Sequence, residues 1–200
     1  MRIVAGRYKG RLLRAAPGTT TRPTTDRVRE AWASTLGSLC TEGFAGASVL
    51  DAFAGSGALG LEALSRGASS VLFCERDRRA LDALDANRAS LEGAEEESSV
   101  LALDVFSPKA VGPLRRSGPY DLVLLDPPYA CHAGKLQGLL HSLAVTGALR
   151  TGALVTYEHL AAAGTPLDGA VLCAACSPAS LHMVSCKTYG TTQIDYLRYR

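Results

Sequence analysis

The fold of this chain is decided by the stretch Val49-Leu50-Asp51-Ala52-Phe53-Ala54-Gly55-Ser56-Gly57-Ala58-Leu59-Gly60. A short apolar run that ends in a carboxylate and continues into a glycine-rich turn is typical of a strand, a ligand-binding loop and the start of a helix. Gly55, Gly57 and Gly60 have the spacing G-x-G-x-x-G, and Glu75 follows Gly55 by 20 residues, at the end of a second apolar run. Taken alone, this spacing favours a dinucleotide-binding loop; the alternative is a glycine turn without a ligand.

The Asp51 side chain argues against a dinucleotide. A pyrophosphate at the helix N-terminus is anionic, and a carboxylate four residues before Gly55 would repel it. S-adenosylmethionine has no phosphate and carries an ammonium and a sulfonium, so a carboxylate at the strand tip suits its methionine end. Glu75, at the tip of the next strand, can accept hydrogen bonds from two ribose hydroxyls. The sequence therefore predicts an S-adenosylmethionine site at this loop.

A second motif, Asp126-Pro127-Pro128-Tyr129, follows the apolar run 122–125. Two prolines can neither continue a helix nor donate to a β-ladder, so they predict an exposed turn at the carboxyl end of a strand, the edge where open α/β sheets bind ligands. Asp126 and the Pro127 carbonyl can accept hydrogen bonds from an exocyclic amine, and Tyr129 offers a flat face to an extruded base. A structural turn closed by an aromatic ring is the alternative.

The rest of the chain alternates predicted strands and helices. After the glycine loop we expect helix 59–66, strand 70–75, helix 77–92, strand 99–103, an irregular helix around 108–116 broken by Pro113, strand 120–125, helix 134–144 and strand 153–158. Such alternation indicates right-handed βαβ units and a parallel sheet. Two β-rich runs, 181–188 and 193–199, are separated by Tyr189-Gly190-Thr191-Thr192 and predict a hairpin.

Acidic residues stand at four predicted strand tips, namely Asp51, Glu75, Asp104 and Asp126. Because the carboxyl ends of parallel strands meet at one edge of a sheet, we expect these carboxylates to mark a ligand site. Capping a helix is the alternative role for Asp104. The other acidic cluster, residues 92–98, is interpreted as a solvated loop without a further role.

The charge is unevenly distributed. The formal net charge is +2, but residues 1–30 contain eight Arg or Lys and two acids, whereas residues 31–200 contain thirteen and seventeen. This asymmetry predicts a phosphate-backbone partner at the N-terminus. We expect a short hairpin over residues 2–14, and the residues at its turn that suit RNA are Arg7, Tyr8, Lys9 and Arg11. A solvated basic surface is the alternative.

A helix is predicted to begin near Thr25 or Asp26, either of which can cap it. The 3–4-residue spacing of apolar side chains leaves Arg27 and Arg29 largely outside the buried face. The residues predicted to form that face are Val28, Ala31, Trp32, Leu36 and Leu39.

The composition, 200 residues with 47% hydrophobic content, fits one domain with a full core. No apolar run is long enough to span a membrane and no signal peptide is recognisable, so we expect a cytoplasmic protein. Six scattered cysteines are typical of free, buried thiols in a reducing compartment. The set Cys173, Cys176, His182 and Cys186 departs from zinc-site spacing, so no metal is predicted.

Three strings of the sequence together resemble one protein family. They are Arg22-Pro23-Thr24-Thr25-Asp26-Arg27-Val28-Arg29-Glu30, the loop and helix of residues 51–67, and the Asp126-Pro127-Pro128-Tyr129 turn. The chain resembles, nearly end to end, the RsmD family of bacterial 16S ribosomal RNA guanine-N2 methyltransferases. The proline turn is shared with many amino-group methylases, whereas the first string is much more specific.

The resemblance implies an α/β fold of the Rossmann-like class I S-adenosylmethionine-dependent methyltransferases, with a seven-stranded, mostly parallel sheet, an antiparallel last strand and a small N-terminal β-hairpin. It implies one domain, with an N-terminal extension over 1–24 and a catalytic core over 25–200. The expected reaction is methylation of a guanine N2 in 16S rRNA by a monomer, within the 30S subunit or an assembly intermediate. An amino-methyltransferase for another RNA or DNA base, and a non-enzymatic nucleotide- or RNA-binding protein, remain alternatives.

The resemblance also completes the set of expected site residues. It implies that Asp104 binds the adenine amine and that Thr24, Thr25 or Asp26 lies near the methionine end of the cofactor. The expected cofactor-binding residues are Asp51, Phe53, Gly55, Ser56, Gly57, Glu75, Arg76, Asp104, Val105 and Asp126. The expected catalytic residues are Asp126, Pro127, Pro128 and Tyr129. The expected RNA-binding residues are Arg7, Tyr8, Lys9, Arg11, Arg22, Arg27 and Arg29.

Overall fold

The computed structural model describes residues 1–16, 26–40, 42–128, 131–161, 172 and 181–200. The chain divides into two compact units, Met1–Asp104 and Val105–Arg200. None of the helices in these described ranges has the length and apolar character needed to cross a membrane.

The first unit contains a parallel sheet in the order β3-β2-β1. Its elements are α1 (Asp26–Leu39), β1 (Ser48–Asp51), α2 (Ala58–Ser65), β2 (Ser70–Glu75), α3 (Arg78–Ala89) and β3 (Ser98–Ala102). Leu50 of β1 lies opposite Leu72 of β2, and Phe73 of β2 lies opposite Val100 of β3. The inner strands are nearly continuous apolar runs because both faces of a parallel sheet are covered.

The second unit contains the strands in the order β4-β5-β7-β6. Its elements are a 3₁₀ turn (Pro108–Ala110), α4 (Val111–Ser117), β4 (Tyr120–Leu125), α5 (Ala133–Val145), β5 (Leu149–Leu160), β6 (Leu181–Tyr189) and β7 (Thr192–Tyr199). β4 and β5 are parallel, and β7 lies between β5 and β6 and runs antiparallel to both.

The described residues contain seven strands, three in the first unit and four in the second. This confirms the predicted fold, with a mostly parallel sheet and an antiparallel last strand. The predicted strands 70–75 and 120–125 coincide with β2 and β4, and the C-terminal hairpin turns at Gly190 with a φ of 62°. Pro113 was expected to break the helix around 108–116, but it does not. It lies in the first turn of α4, where the backbone N–H that proline lacks would have no intrahelical acceptor.

The predicted N-terminal hairpin is present in a reduced form. A single antiparallel bridge joins Arg2 to Leu12, and the backbone between them closes in tight turns. Gly6 and Gly10 have φ values of 81° and 84°, in the left-handed region that favours glycine. A β-carbon on Gly6 would lie 1.7 Å from the Ser65 carbonyl oxygen, so the segment is pressed against α2 and does not extend as a ribbon.

Two further expectations need correction. The buried face of α1 consists of Arg29, Trp32, Ala33 and Leu36, so the prediction that Arg29 lies outside it is wrong. Among the described cysteines only Cys74 is buried; Cys40 and Cys131 are half-buried and Cys186 is exposed. Cys173 and Cys176, half of the cluster considered for zinc, lie outside the described residues.

Candidate functional site

The glycine loop, residues 52–57, connects β1 to α2. Gly55 and Gly57 have φ values of 54° and 89°, which only glycine adopts without strain. A β-carbon on Gly57 would lie 2.5 Å from Leu84 Cδ1, and one on Gly60 would lie 2.3 Å from Phe73 Cε1. Gly57 and Gly60 therefore permit close packing on α3 and β2, whereas Gly55, which has no atom within 4 Å of such a position, supplies conformation alone.

Asp51, the last residue of β1, is only 2% exposed, and its carboxylate accepts a hydrogen bond from the Gly60 N–H at 3.0 Å. Burial disfavours its charged form and raises the pKa of Asp51 to about 7, and the Glu75 carboxylate adds to the rise. Backbone N–H groups of Gly60 and Phe53 act in the opposite direction. An opposite charge placed beside this carboxyl would favour its charged form.

Glu75, the last residue of β2, is held by backbone N–H groups. One carboxylate oxygen accepts from Gly55 at 2.8 Å, and the other accepts from Arg76 and Asp77 at 2.7 and 2.8 Å. Two carboxylate oxygens offer about four acceptor positions. These three bonds leave roughly one position for a ligand, so a hydroxyl pair can approach Glu75 only through that remaining position or by displacing an N–H.

Asp104 lies two residues beyond the end of β3, so it is not the last residue of a strand as expected. Its carboxylate is 2.8 Å from Arg76 Nη1, in an ion pair whose two side chains are 67% and 35% exposed for Arg76 and Asp104. Of the other expected cofactor residues, Phe53 is half-buried and Val105, the first residue of the second unit, is buried. The first unit thus brings Asp51, Glu75 and the glycine loop together through direct hydrogen bonds.

Asn87 on α3 is a site residue that sequence reasoning missed. Its side chain is 1% exposed and donates to the Ser56 carbonyl oxygen of the glycine loop at 2.8 Å. The same amide exchanges two hydrogen bonds with the backbone of Arg14, at 2.7 and 3.0 Å. The sequence does contain an indication of this role. Asn87 follows Ala80 and Ala83 at the i, i+3, i+7 spacing of one helical face, and a polar residue on a buried face needs buried hydrogen-bond partners.

Glu62 on α2 was also missed. It is fully buried, and its carboxylate accepts from the Val4 and Ala5 N–H groups at 2.7 and 3.1 Å and from Arg66 Nε at 2.7 Å. The N-terminal segment, residues 2–14, is thereby fastened to the helix that follows the glycine loop. Glu62 is the single charged residue of an otherwise largely apolar helix, a pattern that indicates a buried partner.

The turn of the N-terminal segment is likewise bound to the first unit. Ser65 accepts hydrogen bonds from the Arg7 and Tyr8 N–H groups at 2.8 and 3.0 Å. The Tyr8 ring is 6% exposed and its hydroxyl donates to the Glu92 carbonyl oxygen. Arg7 forms a two-pronged pair with Glu97, which raises the pKa of Arg7 and lowers that of Glu97. The interpretation of residues 92–98 as a merely solvated loop is therefore wrong.

These contacts revise the expected RNA surface. A buried Tyr8 cannot stack on a base, and Arg29, which is 1% exposed, donates to Asp26 and to the Arg2 carbonyl oxygen at 2.6 and 2.7 Å. Both residues are structural because their polar atoms are engaged inside the unit. The expected RNA residues that are exposed are Arg7, Lys9, Arg11 and Arg27. Four residues of the string 22–30, namely Arg22, Pro23, Thr24 and Thr25, lie outside the described residues.

The second unit carries the proline turn. Asp126 and Pro127 directly follow β4; Asp126 is half-exposed, Pro127 is buried and Pro128 is exposed. The Pro128 carbonyl oxygen accepts a hydrogen bond from the Cys131 N–H at 2.8 Å. Tyr129 lies outside the described residues. As the sequence predicted, Asp126 stands at the carboxyl end of a buried strand.

Comparison with known proteins gives three findings. A family model described as "Conserved hypothetical protein 95" matches residues 1–198. The chain is 36% identical to the Ribosomal RNA small subunit methyltransferase D of Escherichia coli (strain K12) over 167 residues, which cover 83% of this chain and 78% of that protein. A solved structure of the Escherichia coli protein yhhF superposes with a TM-score of 0.76 at 31% identity, and the match covers 100% of this chain and 98% of that one.

Proposed function

The chain belongs to the RsmD family, and from this premise we propose that it transfers a methyl group from S-adenosylmethionine to the exocyclic N2 of a guanine in 16S rRNA. A relative covering most of the chain is named a small-subunit ribosomal RNA methyltransferase, which supports rRNA methylation. The guanine N2 and the methyl donor are our inference from the residues below.

The observation that carries the proposal is the arrangement around the glycine loop. A buried carboxyl at the end of β1 and a carboxylate at the end of β2 flank the loop, and Glu75 binds the Gly55 N–H at 2.8 Å. The Asp51 carboxylate beside the loop would repel a pyrophosphate, and together with Glu75 it attracts a ligand with an ammonium and a sulfonium. The residues of the first unit therefore fit S-adenosylmethionine and do not fit a dinucleotide.

We assign the roles in the first unit accordingly. Asp51 would hold the cationic methionine end, and Glu75 would accept a ribose hydroxyl at its remaining acceptor position. Asp104 would bind the adenine amine, with its neighbours Arg76 and Val105 beside the ring. When bound, S-adenosylmethionine supplies a methyl group that its sulfonium activates. The residues of the glycine loop that would approach the cofactor are Phe53, Gly55, Ser56 and Gly57.

The proline turn of the second unit would receive the guanine. The amine of guanine is a weak nucleophile because its lone pair is delocalised into the ring. Asp126 and the Pro127 carbonyl would accept the two amine hydrogens, which favours the pyramidal nitrogen that attacks, and Asp126 would hold the proton that leaves. Pro128 would fix the turn, and Tyr129 would stack on the extruded base. Positioning supplies most of the rate in such a transfer.

The proposed partner is 16S rRNA in the 30S subunit or an assembly intermediate. We further propose that the chain acts as a monomer in the cytoplasm, where that substrate is located. The exposed basic residues of the N-terminal segment would bind RNA phosphates, with Arg22 and Arg27 following them in the chain.

The test has two stages. Calorimetry should detect binding of S-adenosylhomocysteine and no binding of NAD; the reverse result would reject the cofactor assignment. Tritium from labelled S-adenosylmethionine should then enter 16S rRNA in 30S particles from a strain that lacks this gene, and mass spectrometry of the digested RNA should identify N2-methylguanosine. Another methylated nucleoside would keep the enzyme class and reject the proposed base.

Asp126 provides the matched variant for this test. Asp126→Ala should abolish methyl transfer while cofactor affinity stays within about tenfold, because the residue acts on the amine. Equal loss of both would make Asp126 mainly a cofactor ligand.

A further inference from the structure

One face of α3 contacts both the glycine loop and the N-terminal segment. Ala80 and Ala83 pack against Ala16, directly beyond the segment. Leu84 lies so close to Gly57 that a β-carbon there would be 2.5 Å from its Cδ1. Asn87, the last residue of this face, hydrogen-bonds to both neighbours.

The Asn87 amide is nearly saturated by these two partners. Both of its N–H donors are used, one on the Ser56 carbonyl oxygen at 2.8 Å and one on the Arg14 carbonyl oxygen at 3.0 Å. Its oxygen accepts from the Arg14 N–H at 2.7 Å. Because the side chain is 1% exposed, water cannot replace a broken bond, and moving either partner leaves a buried polar atom unsatisfied.

Each partner belongs to a surface with a proposed ligand. Ser56 lies in the loop assigned to S-adenosylmethionine, and Arg14 ends the segment that carries exposed Lys9 and Arg11. We infer that Asn87 is a positioning residue that couples the two, so that RNA bound at the segment and cofactor bound at the loop raise each other's affinity. This inference rests on the proposed function. The reciprocity follows from linkage, because each ligand stabilises the same hydrogen-bonded arrangement.

The experiment is a thermodynamic cycle. The affinity for S-adenosylhomocysteine is measured by calorimetry with and without a short, guanine-containing single-stranded RNA, and RNA affinity is measured with and without S-adenosylhomocysteine. In the wild type the two ratios should agree and reach about fivefold, the lower end of typical coupling between sites. Ratios of one in the wild type would overturn the inference while leaving the proposed function intact. Failure of S-adenosylhomocysteine to bind at all would reject the proposed function itself.

Asn87→Ala should bring the coupling ratio to about one. Ser90→Ala is the matched control, because the Ser90 hydroxyl donates to the Asn87 carbonyl oxygen at the end of the same helix and does not bridge the helix to the loop or the segment. A residue with only a structural role would lower the melting temperature and leave the coupling ratio at its wild-type value. That result for Asn87→Ala would overturn the inference.

Asn87→Asp is the second variant, in case the alanine variant does not fold. When the new carboxyl is ionised, it keeps the acceptor for the Arg14 N–H and has no donor, so at a pH where it is ionised the bond to Ser56 is broken while part of the bond to the segment remains. The coupling ratio of Asn87→Asp should also fall to about one. Wild-type coupling in a folded Asn87→Asp protein would overturn the inference.

Discussion

The charge state of Asp51 depends on its buried surroundings. Burial raises the pKa of this carboxyl to about 7, so the protein without cofactor contains both forms at neutral pH. A cationic cofactor binds the ionised form. Cofactor binding and deprotonation of Asp51 are therefore linked.

This linkage predicts pH-dependent binding. The affinity for S-adenosylmethionine should rise about tenfold between about pH 6 and pH 8, because the ionised fraction of Asp51 rises by that factor around a pKa of about 7. Calorimetry across this range checks it. Asp51→Asn should bind weakly at every pH with no such rise, and a wild-type affinity that stays constant would contradict the prediction.

The raised pKa of Asp51 also predicts how the free energy of unfolding depends on pH. The folded-state pKa lies above the unfolded value, so the folded chain binds more protons between the two, and the free energy of unfolding falls as pH rises from about 4 to about 7. Asp51→Asn removes this contribution. The difference in unfolding free energy, variant minus wild type, should become more positive over that range in urea titrations. A constant difference would show that Asp51 does not titrate as described.

Replacing Glu75 should lower cofactor affinity in two ways, through the proposed ribose contact and through the glycine loop. Glu75→Ala removes the bond to the Gly55 N–H as well as the proposed ribose interaction, so cofactor affinity should fall by about 1.5–3 kcal/mol. Glu75→Gln retains an acceptor oxygen and should lose less affinity. Calorimetry of the two variants separates the effects, and unchanged affinity in Glu75→Ala would place the ribose elsewhere.

At the scale of elements, the N-terminal segment is fixed on α2 by hydrogen bonds and by burial of its apolar side chains. Glu62 accepts the Val4 and Ala5 N–H groups, and Ile3, Tyr8 and Leu13 of the segment are buried. The segment therefore contributes to the core of the first unit. Its backbone is held in place while its basic side chains are exposed.

Removing Glu62 should release the segment. Glu62→Ala leaves two backbone donors without their acceptor, at a cost of about 1–3 kcal/mol for each buried group that stays unsatisfied. We expect a lower melting temperature and faster proteolysis within the first 14 residues. Glu95→Ala, which removes an exposed acid of the same unit, is the control. Equal protease resistance in both variants would show that Glu62 does not hold the N-terminal segment on α2.

The sequence predicted the elements better than their tertiary partners. Apolar runs bounded by Gly, Pro or acids placed β2 and β4 at their observed bounds, because burial on both faces of a parallel sheet leaves an unbroken apolar signature. The N-terminal turn was less predictable, since its conformation depends on Glu62 and Ser65, which lie more than 50 residues away. Local periodicity holds no information about such contacts.

In the candidate site, too, residues with a local sequence pattern could be predicted, whereas those whose role depends on distant contacts could not. Asp51, Glu75 and Asp126 could be predicted as candidates because acids at strand tips are visible in sequence, and the structure places each at or directly after the end of its strand. Asn87 was not, because its role lies in side-chain bonds to two distant backbone groups. Arg29 was assigned to the surface because a guanidinium is normally exposed, yet Asp26 and the Arg2 carbonyl hold it inside.

For the whole molecule, the excess of positive charge in residues 1–30 agrees with the RNA partner that the family indicates, but part of this charge is neutralised by ion pairs within the chain. Arg2 and Arg29 are paired with Asp26, and Arg7 is paired with Glu97. Within the described part of the chain, no ion pair is formed by the exposed side chains of Lys9 and Arg11. These two residues should therefore carry most of the phosphate binding by the N-terminal turn.

Neutralising Lys9 and Arg11 together should weaken RNA binding and flatten its salt dependence. The slope of log affinity against log salt should fall by about 1.4, near 0.7 for each phosphate of single-stranded RNA that is no longer neutralised. Adding Arg7→Gln should change the slope less than either of the first two substitutions, because Glu97 already neutralises that guanidinium. The fold and cofactor affinity should be unaffected, since both side chains are exposed.

The matched control removes the same charge from the second unit. Lys109 and Arg115 are exposed there, and replacing both with Gln changes the net charge equally. If the N-terminal segment binds the phosphates, only the Lys9 and Arg11 pair alters the slope, whereas an effect of overall charge alters it equally in both double variants. RNA binding measured at several salt concentrations distinguishes these cases, and a line parallel to that of the wild type for the Lys9 and Arg11 variant would exclude the turn as the RNA-binding surface.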